Sequence, residues 1–230
     1  MTMNEEAPTS PSGNPIEVRP IRRDELGAVL LRCLPDGGRI ETMFKTQGTI
    51  GLGAWDGEKC IAQLHCYRLV LPKGSSDLWP SWSRPSYVDE ILNGSLGIKG
   101  PVWCHACCHV GRSIESLSIS DEPDSRYFGR GIGTALVRGS ISWAREHDYA
   151  AVIAPGTPDD LFEFSVWAGG LPWTTYEKLG FSEVATEKGN DLPDWAKGNS
   201  PPEVMEAVTA ALAAGRPKRE FYSRLMVLRL

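Results

Sequence analysis

The chain has 230 residues, 41% hydrophobic and 23% charged, with a formal net charge of −5 at pH 7. That composition suits a soluble globular chain with enough apolar residues to build a core without staples. It offers no basic stripe for nucleic acid, and no apolar run reaches the roughly 18 residues that a membrane-spanning helix needs.

The N-terminus lacks the apolar centre of a secretion signal, so the six cysteines are expected as reduced thiols in a cytoplasm. Residues 1–14 carry almost no apolar side chain and are expected as a disordered tail. From residue 15 to 230 the pattern is that of one domain with insertions at about 72–101, 111–126 and 187–216.

The first expected strand is the alternating stretch Ile16–Ile21. Asp24 can cap a helix containing Leu26, Val29, Leu30 and Leu31 that ends before Pro35. Residues 49–56 and 59–70 alternate on either side of Asp56-Gly57, a hairpin signal. Residues 72–101 are rich in proline and glycine, and Trp79, Trp82 and Tyr87 argue for packing over a cleft; a surface insertion with its own small core is the alternative. Val102–Val110 alternates as a fourth strand. A competing reading gives that place to Ser113–Ile119, which would bring Glu115 into the site. Tyr149–Ala154 reads as a buried strand in parallel-sheet style. Pro158 opens a helix through about Trp167, and residues 168–173 form a turn. Thr174–Leu179 is a short helix stopped by Gly180. Phe181–Thr186 is a strand, 187–201 a polar loop, Glu203–Ala214 a helix, and 220–230 the last strand.

One stretch stands out. Tyr127-Phe-Gly-Arg-Gly-Ile-Gly-Thr-Ala-Leu-Val137 places glycines at 129, 131 and 133 directly before the helical pattern Ile132, Leu136, Val137, Ile141 and Ala144. Glycine permits a tight turn and a close approach to bare N–H groups. The first N–H groups of a helix lack internal partners and sit in positive potential, so such a turn suits a phosphate. Arg130 adds a fixed charge. The spacing is neither G-x-G-x-x-G nor a P-loop. A plain glycine-rich connection is the other reading.

This loop resembles the acyl-CoA pyrophosphate loop of the GNAT acyltransferase superfamily, whose members read Gln/Arg-x-x-Gly-x-Gly/Ala with the last glycines at Gly131 and Gly133. Phe128 then stands at the Gln/Arg position and departs from the pattern. Arg126 supplies a second register that fits the helix start less well. Tyr176-Glu-Lys-Leu-Gly-Phe181 resembles the family's second motif, about forty-five residues on, and Phe221–Leu230 its terminal strand. The resemblance implies an α/β fold of the α+β type: a mixed, mostly antiparallel twisted sheet with helices on both faces.

It also implies acetyl transfer from acetyl-CoA, as co-substrate, to the amine of a small molecule or peptide. The mechanism would be direct attack in a ternary complex. The diphosphate would lie on Phe128, Gly129, Arg130, Gly131, Ile132, Gly133 and Thr134. The acyl arm would lie between splayed fourth and fifth strands, against the backbone of Cys108 and Val110. An N–H near Cys108 or His109 would hold the developing oxyanion. Tyr176 would give a proton to the departing thiolate, or else simply pack. Candidates for the base are His109, with His105 on the same strand face by alternation, His65 on the neighbouring strand, and Glu115.

Cys104, Cys107 and Cys108, with Cys60, His65 and Cys66 on the adjacent strand, are soft ligands. Simple alternation sends Cys104 and Cys108 to one face and His105, Cys107 and His109 to the other, so no metal is expected. A second functional reading is a degenerate GNAT fold that binds CoA or senses metal or thiol state. No nucleic-acid or membrane partner is expected, and a homodimer is left open.

Overall fold

Alternation, a tight turn and a second alternating run make the centre of the sheet. In the computed structural model, which describes residues 7–31, 37–71, 94, 96–114, 122–186 and 191–230, strands β2 (Gly51–Asp56) and β3 (Lys59–Leu71) form the hairpin expected around Asp56-Gly57. Gly57 takes φ +61°, the left-handed turn position that glycine fills without steric cost. Strand β1 (Glu17–Pro20) pairs antiparallel on one side of β2, and β4 (Gly100–Val110) antiparallel on the far side of β3. The 102–110 reading of the fourth strand therefore holds.

The remaining strands are β5 (Ala151–Thr157), β6 (Leu171–Pro172), β7 (Ser182–Thr186) and β8 (Arg224–Arg229). The sheet runs β1-β2-β3-β4-β5-β8-β7, with β6 attached to β5 off this path. Among the described residues only the β4–β5 and β5–β6 pairings are parallel. The β4–β5 ladder covers Val102–Cys104 against Ala151–Ile153, and no ladder joins the two strands beyond those residues.

Helices cover both faces. On one, α1 (Gly37–Gln47) brings Ile40 and Met43 against Tyr67, Leu69, Val102 and Ile153. On the other, α2 (Ile132–Glu146) brings Ile132, Leu136, Val137 and Ile141 against Leu64, Trp103 and Val152. Ile132, Leu136 and Val137 are at most 1% exposed, and each such burial contributes about 1.5–3 kcal/mol. A third cluster joins α3 (Phe162–Ala168) to α5 (Pro202–Ala213) through Phe164, Val204, Val208 and Phe221. The short helix α4 (Trp173–Lys178) lies between.

Two expectations change. The segment after Asp24 is a 3-10 turn, Arg23–Ala28, ending at extended Val29 rather than an α-helix, and residues 32–36 lie outside the described residues. The Arg22 N–H is capped from within by the Glu25 carboxylate at 2.9 Å, and the Leu30 N–H is drawn to buried Gln63 Oε1 at 3.0 Å. The α-helix on this face, α1, begins at Gly37. The described part of the tail is folded: a Thr9–Pro15 bridge closes a turn in which Ser10 is buried. Glu115, the competing strand Ser113–Ile119 beyond Ile114, and Trp79, Trp82 and Tyr87 lie outside the described residues.

Candidate functional site

Glycine geometry shapes the loop before α2. Gly129 and Gly131 take φ +70° and +73°, and Gly131 is the left-handed residue that precedes the helix. The Gly131 carbonyl accepts from Ala135 N at 2.9 Å, so the intervening N–H groups of Ile132, Gly133 and Thr134 are the first-turn donors without an intrahelical acceptor. A Cβ on Gly129 or Gly131 would meet no atom within 4 Å, so open space faces both residues. Cys108, Val110, Phe128, Gly129, Arg130, Gly131, Ile132, Gly133 and Thr134 all line one cavity of about 200 Å³.

The Phe128 ring packs edge-on against Phe162 of α3 at 5.1 Å and lines the cavity. Arg130 folds back over the loop, donating to the carbonyls of Arg126 (2.6 Å) and Ser10 (3.4 Å).

A bulge places the chemistry-bearing side chains of β4. His65 pairs with Cys107 and Cys66 with His105, leaving Ala106 as an extra residue. An extra residue reverses the phase of alternation beyond it. The expected common face for His105 and His109 is therefore corrected, as is the shared face for Cys104 and Cys108. His105 points toward α2, its Nε2 2.8 Å from Ser140 Oγ, and Cys108 packs in the same layer. Cys104 packs on the opposite face. Beyond the bulge, His65 Nδ1 lies 3.2 Å from Cys107 Sγ, and His109 is close enough to His65 to depress its basicity.

Tyr176 of α4 is 2% exposed. Its ring packs on Phe181 (5.2 Å) and His105 (5.9 Å), and it does not belong to the cavity wall. Burial, reinforced by the nearby thiols of Cys108 and Cys66, pushes its phenol well above the ordinary tyrosine range, so it keeps its proton. Burial also raises the thiols, Cys60 and Cys108 to about 12, and Cys104 and Cys66 well above the ordinary cysteine range. Such thiols are poor nucleophiles and poor metal ligands. Among the described residues no group of three or more His, Cys, Asp or Glu has metal-holding geometry.

The histidines carry a pH signature. Burial lowers His65, with His109 adding to the effect, and burial lowers His105; both fall to about 3 from the ordinary 6.5. Between pH 6.5 and 3 the unfolded chain therefore binds more protons than the folded one, so stability is complete above that window and falls as the pH drops through it. At about 1.4 kcal/mol per pH unit per histidine, the two together remove about 4 kcal/mol of unfolding free energy by pH 5. Urea titrations at pH 7.5 and 5.0 will measure this, and a His65→Asn/His105→Asn variant should flatten the dependence. Equal stability at the two pH values would show that the imidazoles are not buried in neutral form.

The turn expected at residues 168–173 lies where β4 and β5 separate. The Gly169 carbonyl accepts from the Cys108 N–H at 2.6 Å, and Leu171 and Pro172 pair with Gly156 and Thr157 of β5. The N–H expected to meet an oxyanion is thus engaged within the chain. Gly170, Leu171 and Pro172 also enter the cavity wall, with Phe162, Ser165 and Thr175. The sequence marks this segment only as a turn, through the paired glycine just before the Tyr176 motif; its pairing with β4 and β5 is not legible there.

By sequence, neither a family model nor a curated protein matches the chain. Solved structures do resemble it. An insect protein assigned as arylalkylamine N-acetyltransferase 7, from the yellow fever mosquito Aedes aegypti, superposes with TM-score 0.57 at 13% identity, covering 97% of this chain and 92% of its own. An apo agmatine N-acetyltransferase variant gives 0.51 at 12% identity, and a Drosophila melanogaster polyamine N-acetyltransferase that forms N-acetylagmatine gives 0.50 at 12%; each comparison covers 94% of this chain and 100% of the other. At these identities the likeness is one of fold.

Proposed function

We propose that this chain, whose fold is that of the GNAT N-acetyltransferases, moves an acetyl group from acetyl-CoA to a small-molecule or peptide amine. The observation that carries the reading is a single cavity joining the glycine loop at the start of α2 to Cys108 and Val110, at the parting of β4 and β5. Fold-level likeness to enzymes acting on agmatine, arylalkylamines and polyamines supports an amine acceptor.

The fit to the donor is good at one end. The N–H groups of Ile132, Gly133 and Thr134, in the positive end of the α2 dipole, would receive its diphosphate, with Arg130 beside them. Acetyl-CoA, when bound, supplies the activated thioester. Tyr176, held protonated beside Cys108, is the group to share a proton with the departing sulfur. His109, on the face opposite Cys108, would accept the amine's proton; Glu115 remains the carboxylate alternative. No covalent enzyme intermediate is invoked: the raised thiols of Cys66, Cys104 and Cys108 argue against one.

The test pairs binding with turnover. Acetyl-CoA should raise the melting temperature, whereas free acetate should not. An amine panel with acetyl-CoA should release CoA thiol with at least one acceptor class. Absence of any thermal shift at millimolar acetyl-CoA would overturn the reading. A shift without thiol release across small amines and N-terminal peptides would favour the CoA-binding module.

A further inference from the structure

We propose that residues Ala168–Pro172 are a built-in competitor for the acyl arm of the donor, closing the gap between β4 and β5 until acyl-CoA displaces them. The proposal rests on the acetyltransferase reading above.

Both rims of the gap are occupied by the same short segment. On β4, the Cys108 N–H gives its hydrogen bond to the Gly169 carbonyl at 2.6 Å. On β5, Gly156 and Thr157 are paired in parallel with Leu171 and Pro172. An extended acyl arm running between the strands would need these same backbone positions, and an N–H engaged at that distance has no second strong bond to give. Segment and arm are alternatives at Cys108.

The sequence is fitted to this placement. A Cβ on Gly169 would stand 2.3 Å from His109 Cε1 and 2.6 Å from Nε2, and Gly169 takes φ +66°. A Cβ on Gly170 would stand 2.2 Å from Thr157 Cγ2. Two adjacent residues without side chains let the backbone thread the gap. The segment is anchored on α3, where Gly170 N donates to Ser165 O at 2.9 Å and Thr157 Oγ1 lies 2.7 Å from Ser165 Oγ. The segment borders the same cavity as the α2 loop, but none of those anchors uses the first-turn N–H groups of Ile132, Gly133 and Thr134. The nucleotide half of the donor can therefore dock while the gap is shut, and the arm enters second. The ring of His109 lies on Gly169, so withdrawal of the segment also uncovers the candidate base.

The experiment compares acetyl-CoA with 3′-phosphoadenosine 5′-diphosphate, the donor's nucleotide half without its arm, by calorimetry on the full chain. In Gly169→Ala the closed arrangement is strained by both the backbone angle and the His109 ring. Acetyl-CoA should bind about tenfold tighter, with the nucleotide half unchanged. Unchanged or weaker acetyl-CoA binding in a folded variant, with the nucleotide half unaltered, overturns the competitor. Wild-type binding of neither compound overturns the acetyltransferase reading itself, and the competitor with it.

Hydrogen exchange on the wild-type chain decides the matter should the variant not fold. Peptides covering 168–172 should exchange faster with acetyl-CoA but not with the nucleotide half. Slower exchange with acetyl-CoA would make the segment part of the bound site and refute displacement.

Discussion

Gly131→Val abolishes acetyl-CoA binding, with affinity falling by more than about 100-fold while the chain stays folded. Two physical effects act together. Gly131 has φ +73°, a backbone region where a β-branched residue is an outlier. Its position also faces open space in the cavity wall, directly before the first-turn N–H groups of α2. A valine there covers the donors that would receive the diphosphate. The cost to the fold is limited to about 1–2 kcal/mol of backbone strain, because an added Cβ meets no atom within 4 Å. Calorimetry with acetyl-CoA, alongside a melting curve, will check both parts. Wild-type affinity in the variant would remove the loop from the donor site.

Tyr176→Phe lowers turnover by about 10²–10⁴-fold, the range for loss of a positioned proton donor. The ring contacts with Phe181 and His105 survive the change, so folding and acetyl-CoA affinity should barely move. The substitution discriminates because Tyr176 is buried beside Cys108 and outside the cavity wall, where packing is the competing role. A purely packing role gives wild-type kcat in the phenylalanine variant, and that result would retire it as the acid. A fall in KM-normalised rate with kcat intact would point instead to a role in seating the donor.

Much of this protein was legible in local sequence. The β2–β3 hairpin follows from two alternating runs around Asp56-Gly57, and α2 follows from a 3.6-residue apolar period behind three glycines. All nine candidate donor-binding residues share one cavity because they lie on one loop, the helix it opens and the adjacent strand end. Local pattern is enough there, since the turn, the helix start and the exposed N–H groups are properties of neighbouring residues.

The faces of β4 were not legible. Strict alternation puts His105 with His109, but the unpaired Ala106 reverses the phase, so His105 goes to Ser140 and Tyr176 while His109 goes to His65. A bulge depends on how β3 and β4 register over many residues, and nothing in the stretch Trp103–His109 announces it. The helix expected after Asp24 failed for a similar reason: the Leu30 N–H finds its acceptor on Gln63, a strand away.

The sequence by itself determined the β2–β3 hairpin, the glycine loop and the helix that it opens, because those arise from short-range backbone preference and periodicity. The tertiary structure alone decided which histidine meets which partner and what fills the gap between β4 and β5. Gly169 reaches Cys108 across about sixty residues of chain. That pairing is set by the parting of two strands in a sheet, a long-range arrangement that no local pattern encodes.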